Sequence, residues 1–485
     1  MAEYLSLSDS VQGLIRVGFA LCTLGMLGLS LPNGHRFFGT ASRQGYLDDS
    51  RVLTRLLSPW GRVLVLSSWI AAACWLLADR HTVAAAAICF GWSRLFFVKL
   101  RWRGLARGMG APGFMLSWLS CLVLALEYTR FYDPGDWLRP LVILAFKVDF
   151  AAIMLCAGQY KLFAGYPQNN GMERGMVNPW WGKLGGFYRK LPTDSGVFRF
   201  FNHCAYLGEL VAGAMMLYPP TSEAGGLFMA ASFVFIFVHI RLGFLTQTVI
   251  TCCLLFCSPG GWVDSLLPHS ALQPAGSLPA GVELLNTLIG TALLLYLALL
   301  PWAKAGQYYN FYAKKRLPGH WQSLCDRWCN FWGIIIWRVF TIDNTNFYIR
   351  VWFEDPSSQN RSLYSRPEGY DLRSGLRYIH VCEFVCLVSV FTTLKYYSAD
   401  SPLFAARLRR YAATLPCPVG HRIVFEWVDI QKSQGRFLDV PSREYTLQPA
   451  TEAISVRELQ DGSTTTDTLR FSDLVTGVQV GSYAP

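Results

Sequence analysis

Along the chain, long apolar runs alternate with short polar breaks, and the runs have the length of bilayer-spanning helices. Runs at 13–31, 63–78, 82–98, 113–126, 141–162, 201–218 and 282–302 each predict a crossing, because a spanning helix needs roughly 20 predominantly apolar residues. The stretch 226–257 is too long for one crossing and is interrupted by Arg241, Leu242 and Gly243, which predicts two short crossings joined by a tight turn. Nine crossings are therefore expected. After Trp302 the pattern changes: Lys304, Lys314, Lys315 and Arg316 precede an aromatic segment at 321–340 that predicts an interfacial amphipathic helix. Farther on, 347–353, 378–397 and 422–430 read as strands and 403–415 as a helix, which suggests a β-α-β piece, and the Thr- and Ser-rich tail past Asp461 is expected to be loose. The fold class is mainly α, a polytopic transmembrane helical bundle over 1–303, with an interfacial linker over 304–345 and a small C-terminal α/β soluble domain over 346–485.

Charge orients that bundle. Lys and Arg collect in 36–62, 99–107, 161–199 and beyond Trp302, whereas 78–81, 127–137, 219–225 and 258–281 carry few. With 226–257 split at Arg241, basic and bare loops alternate, which places the N-terminus outside and the C-terminal domain in the cytoplasm of an inner membrane. One long crossing there would put a bare loop inside. The composition agrees: 52% of the 485 residues are hydrophobic and only 15% charged, with a mean hydropathy of +0.27. The net charge of +11 lies beside apolar spans and accompanies no nucleic-acid-binding motif, so no nucleic acid is expected as a partner. The 14 cysteines are scattered, many within apolar runs, and Cys325 and Cys329 lack the second Cys or His pair of a zinc site, so no metal is expected. The opening MAEYLSLSDS has no basic segment of the kind that begins a cleavable signal, so the first span is expected to stay in the mature protein. No Walker, Rossmann or GxSxG motif occurs.

The run at 141–162 holds charges that need a reason. Lys147 and Asp149 fall near its middle, where an ionised side chain costs at least about 2.5 kcal/mol and marks a candidate functional site. Lys147, Ala151, Met154, Gly158 and Lys161 share one helical face, whereas Lys147 and Asp149 are offset by about 200° and must find partners on other helices. Lys161 lies about 21 Å along the axis from Lys147, too far for one reaction centre. Lys161 is either a lysine snorkelling to the interface or a desolvated base. It is followed by Asn169, Asn170, Glu173, Arg174, Asn178, Trp180 and Trp181, an amide- and aromatic-rich loop that can line a ligand pocket or form an aromatic belt. His203 and Glu209 lie in the next span, and His239 and Arg241 at the proposed hairpin. A carboxylate as deep as Glu209 must be protonated, paired or hydrogen-bonded, and pairing with a cation from another span, Lys147 or Arg241 among them, would satisfy it.

Ala157, Gly158, Lys161 and Leu162, with Tyr160 in place of a first lysine, give 141–257 a likeness to a known core. It resembles the HTTM transmembrane core of vitamin K-dependent gamma-carboxylases, in which a lysine deprotonates vitamin K hydroquinone. The segments GQYKLFAGYPQNNGMERGMVNPWWG, LRYIHVCEF, VFTTLKYY and FEWVDI more closely resemble an uncharacterised bacterial membrane family of similar length. The resemblance to the carboxylases implies base chemistry at Lys161 and matches the family's helix with His before a Gly-x-Phe turn to His239; His203 and Glu209 are further catalytic candidates by their place in the next span. The resemblance also implies a quinone or hydroquinone as the lipophilic small molecule. Lys147, Asp149, Asn169, Asn170, Glu173, Asn178, Trp180, Trp181 and Arg241 are then the candidate substrate-binding residues. No segment reads as a propeptide-binding region, so protein carboxylation is not expected. Two other readings stand beside this one: a non-catalytic binding or maturation factor recruiting a cytoplasmic protein partner, and a small-molecule transporter using Lys147, Asp149 and Glu209.

Overall fold

The computed structural model describes residues 3–30, 55–56, 58–99, 110–133, 135–268, 281–313, 315–334, 345–365, 387–388, 390–391, 401–413, 415–449, 453–459 and 466–467. The apolar runs become α1 (Asp9–Ser30), α2 (Pro59–Leu77), α3 (Thr82–Ser93, prolonged by a π-helical turn over Arg94–Lys99), α4 (Gly110–Tyr132) and α5 (Leu138–Phe163). Short helices α6 (Met172–Val177) and α7 (Gly185–Tyr188) lead to α8 (Gly196–Leu217), α9 (Ser222–His239), α10 (Leu245–Cys253), α11 (Val282–Ala313) and α12 (His320–Trp332).

Among the described residues, seven helical stretches are long and apolar enough to cross a membrane, fewer than the nine expected. The shortfall falls on α8 and α10. Helix α8 carries Arg199, Asn202, His203 and Glu209, which lower its hydropathy. Helix α10 has nine residues, about 14 Å of rise, before a 3-10 turn over Leu254–Phe256. Both segments nonetheless run between the two ends of the bundle. The last turn of α8 reaches the N-terminal end, where Tyr4 Oη donates to Met216 O at 3.0 Å. Past α10 the chain arrives at the same end, where Asp264 accepts a hydrogen bond from the Ser8 hydroxyl. The break between α9 and α10 falls at 240–244, as Arg241, Leu242 and Gly243 predict, and Gly243 there adopts a φ of +60°.

Small residues let α5 and α8 pack closely. A Cβ on Gly158 would lie 2.8 Å from Leu210 Cγ and 2.9 Å from Tyr206 O, and one on Gly213 would lie 2.8 Å from Leu155 Cγ. The face of α5 read from the sequence is the buried one: Lys147, Ala151, Met154, Gly158 and Lys161 all face the interior.

The C-terminal part is a six-stranded antiparallel sheet in the order β2-β1-β3-β4-β5-β6. Its strands are β1 (Phe347–Glu354), β2 (Arg361–Ser365), β3 (Arg422–Ser433), β4 (Arg436–Gln448), β5 (Ala453–Glu458) and β6 (Thr466–Asp467). Helix α13 (Ser401–Ala412) forms where a helix is expected, but β1 and β3 are antiparallel neighbours, so the expected β-α-β piece is corrected to a sheet with no parallel crossover among the described residues. Gln434 and Gly435, both at positive φ, close the β3–β4 hairpin with backbone twist that suits paired strands. Of the strand expected over 378–397, only 387–388 and 390–391 are described, and these are helical rather than extended, which corrects that part of the expectation. The rest of it, the LRYIHVCEF segment, most of VFTTLKYY, residues 335–344 of the linker and most of the tail past Asp461 lie outside the described residues.

Candidate functional site

Lys161 and Glu209 meet at the α5–α8 contact. Side chains on a helix tilt toward its N-terminus, and these helices run antiparallel, so the lysine and the glutamate lean toward each other across the interface. Lys161 Nζ donates directly to Glu209 Oε1, and both side chains are only 3% exposed. The snorkelling reading of Lys161 is thereby corrected: its ammonium turns inward to a carboxylate rather than outward to the interface. The expected pairing of Glu209 with a cation from another span holds, with Lys161 in the place proposed for Lys147 or Arg241. Glu209 Oε2 is buried without a hydrogen-bond partner.

Beyond α5 the chain turns through Gly165, at a φ of +97°, and sets Tyr166 fully buried beneath the loop. Its ring packs on Gly171, where a Cβ would lie 2.6 Å from ring carbons. Burial pushes the Tyr166 phenol well above its usual range, and the nearby Glu209 and Glu173 carboxylates push it the same way, so Tyr166 keeps its proton. Glu173, also fully buried, accepts from Gly171 N at 3.1 and 2.8 Å, from Asn202 Nδ2 at 2.9 Å and from Lys432 Nζ at 2.8 Å. The same Lys432 ammonium donates to Asn169 O at 2.8 Å. Asn169 Nδ2 in turn donates to Thr193 O, and its Oδ1 accepts from Asn202 Nδ2, both at 2.9 Å. Tyr166 and Glu173 thus lie between the buried Lys161–Glu209 pair and Lys432 of strand β3.

The rest of the loop fastens the sheet to the bundle. Asn178 Nδ2 donates to Thr345 O and Phe347 O at 2.9 Å each, while its Oδ1 accepts from Trp180 N at 2.8 Å. Trp180 and Trp181 are fully buried, Trp180 edge-on against Phe347 and Tyr348. Arg241 Nη1 donates to Pro179 O at 2.9 Å and Trp180 O at 3.1 Å, and Gly182 pairs with Ile240 as an isolated bridge. Arg189 makes a two-bond fork with Asp439 at 2.6 and 2.9 Å and donates to Val177 O at 2.8 Å. Asn178→Ala is expected to leave the Thr345 and Phe347 carbonyls and the Trp180 amide without this partner, at a cost of about 2–4 kcal/mol in docking. Faster hydrogen exchange over 345–354 would register the loss, and unchanged protection there would refute it.

The remaining sequence candidates are distributed elsewhere. Lys147 Nζ donates to Tyr4 O at 2.7 Å and sits 4.4 Å from the Tyr4 ring centroid, while Asp149 Oδ2 accepts from Trp118 Nε1 at 2.8 Å. As the helical offset requires, they do not pair with each other. His203 is exposed with Nδ1 2.7 Å from Tyr206 Oη, and His239 Nδ1 is 2.7 Å from Tyr188 Oη amid Phe201 and Phe235. Neither histidine bonds to Lys161 or Glu209. Asn170 Oδ1 accepts from Arg174 Nε at 2.7 Å, holding the turn of α6. Compared with protein families, curated proteins and solved structures, the chain finds no match. Sequence reasoning missed Tyr166, Asn202, Arg189, Lys432 and Asp439. Tyr166 and Asn202 stand beside residues already singled out, but Lys432 and Asp439 join the site only through contacts more than 200 residues apart in sequence.

Proposed function

We propose that the chain is a multi-pass inner-membrane enzyme in which Lys161 is a general base toward a lipophilic substrate arriving from the bilayer. Glu209 is its proton partner, and the docked sheet lies on the cytoplasmic side. The observation that supports this reading is the buried Lys161–Glu209 pair with one carboxylate oxygen unpartnered. Taking two charges out of water is costly, and apolar residues of similar volume would hold two helices together as well or better. Ionisable residues kept at membrane depth therefore point to chemistry or transport. In the proposed cycle the ammonium proton passes to Glu209 across their direct hydrogen bond, and the freed amine takes a proton from a substrate hydroxyl. Tyr166, a protonated phenol near both Glu209 and Glu173, is the neutral polar group beside the carboxylates as the proton moves on.

The likeness to the carboxylase core suggests a hydroquinone as the substrate class, and the unpartnered Glu209 Oε2 suits it, being able to accept from a phenolic hydroxyl. A bound hydroquinone would supply the acidic hydroxyl. The alternative of a non-catalytic binding or maturation factor is favoured by a different observation, the bond network that ties the sheet to the 164–195 loop. The two separate on Lys161→Arg. Arginine can keep the ion pair but stays protonated and cannot serve as a base. The enzyme reading expects normal membrane abundance with no complementation of the host's deletion phenotype. Full complementation at normal abundance would remove the base and leave the binding reading.

A further inference from the structure

Helix α12 folds back along the C-terminal half of α11. Cys325 and Cys329 are buried, Trp332 packs on Tyr296 at 4.8 Å between ring centroids, and Gly306 permits the approach, since a Cβ there would lie 2.9 Å from Cys325 Sγ. At 100° per residue the helix then shows two further sides. One carries Trp321, Leu324 and Phe331, which are 49%, 48% and 69% exposed. The other is polar and forms, with the turn before the helix, a cleft of about 400 Å³ lined by Arg316, Gln322, Ser323, Asp326, Arg327 and Asn330.

We propose that this cleft binds the phosphate of an anionic phospholipid whose acyl chains lie along Trp321, Leu324 and Phe331. Three large side chains exposed over about 15 Å of one flank of a helix next to membrane spans are a surface for lipid tails. The charge beside them is net positive, two guanidinium groups against one carboxylate, Asp326, which also accepts from Gln322 Nε2 at 2.9 Å. Arg forks and the Ser323 and Asn330 side chains suit phosphate oxygens. Only an amphiphile uses both sides at once. A zwitterionic lipid would satisfy the apolar side but bring its own ammonium to the arginines, and inorganic phosphate would use the cleft alone.

The test is native mass spectrometry of the full chain released from nanodiscs of mixed phosphatidylglycerol and phosphatidylcholine. The wild type is expected to retain phosphatidylglycerol preferentially and to keep it in millimolar inorganic phosphate. The double variant Arg316→Gln with Arg327→Gln is expected to lose about tenfold or more of that preference. Trp321→Ser with Phe331→Ser should weaken retention of both lipids. Because these positions are on the surface, unfolding temperatures should remain near that of the wild type. Equal retention of the two lipids, an undiminished preference in the arginine double variant, or displacement by inorganic phosphate would each overturn the proposal.

Discussion

Lys161→Met is expected to destabilise the protein by about 3–5 kcal/mol, because it leaves Glu209 buried beside an apolar side chain with no cation. Lys161→Met combined with Glu209→Met removes both charges and fills the same space, so most of the stability should return. Thermal or denaturant unfolding in detergent would measure both, and the recovery in the double variant is the informative part. If Lys161→Met alone were as stable as wild type, the pair would not carry the load its burial implies. The double variant also separates roles, since a chain that is folded but inactive places the requirement for the Lys161–Glu209 pair in chemistry rather than assembly.

Gly182→Ala should do comparable damage by a different route. A Cβ at Gly182 would lie 1.9 Å from Met176 O and 3.1 Å from Asn178 O, and backbone atoms held by α6 and by the Asn178 turn cannot move aside cheaply. Relief of the clash would displace 178–183, breaking the bonds from Lys183 N to His239 O at 2.9 Å and from Arg241 N to Trp181 O at 2.7 Å. A loss beyond about 4 kcal/mol is expected, read as a collapse of the monodisperse fraction after extraction. Gly186→Ala is the control: its Cβ would meet nothing within 4 Å, so a change under about 0.5 kcal/mol is expected. Equal behaviour of the two variants would contradict the steric argument.

The parts legible in the sequence were those that periodicity or burial cost dictates. Apolar length marked the spans, the Arg241–Gly243 interruption marked the break before α10, and the depth of Glu209 called for a proton, a hydrogen bond or a cation. Which cation was not legible, because the relative rotation of α5 and α8 is fixed by Gly158 and Gly213 packing against large residues, and neither glycine announces its partner. The amides and tryptophans of 169–181 read as either a ligand pocket or an aromatic belt. Asn178, Trp180 and Arg241 instead bind backbone and rings of the loop and of the chain that opens β1. Such contacts span from about 60 to more than 160 residues and leave no local pattern. The sheet was misread as containing a β-α-β piece because the β3–β4 turn uses Gln434–Gly435 rather than the Asn-Gly or Asp-Gly pair that signals a hairpin. Strand β4 consequently went unread.

The most direct test of the central claim is a cryo-electron microscopy map of the chain extracted in its native lipid. The account predicts a hydroxyl-bearing lipophilic molecule within hydrogen-bond reach of Lys161 Nζ or Glu209 Oε2. A map in which Lys161 and Glu209 are ordered but no such molecule touches either atom would contradict it.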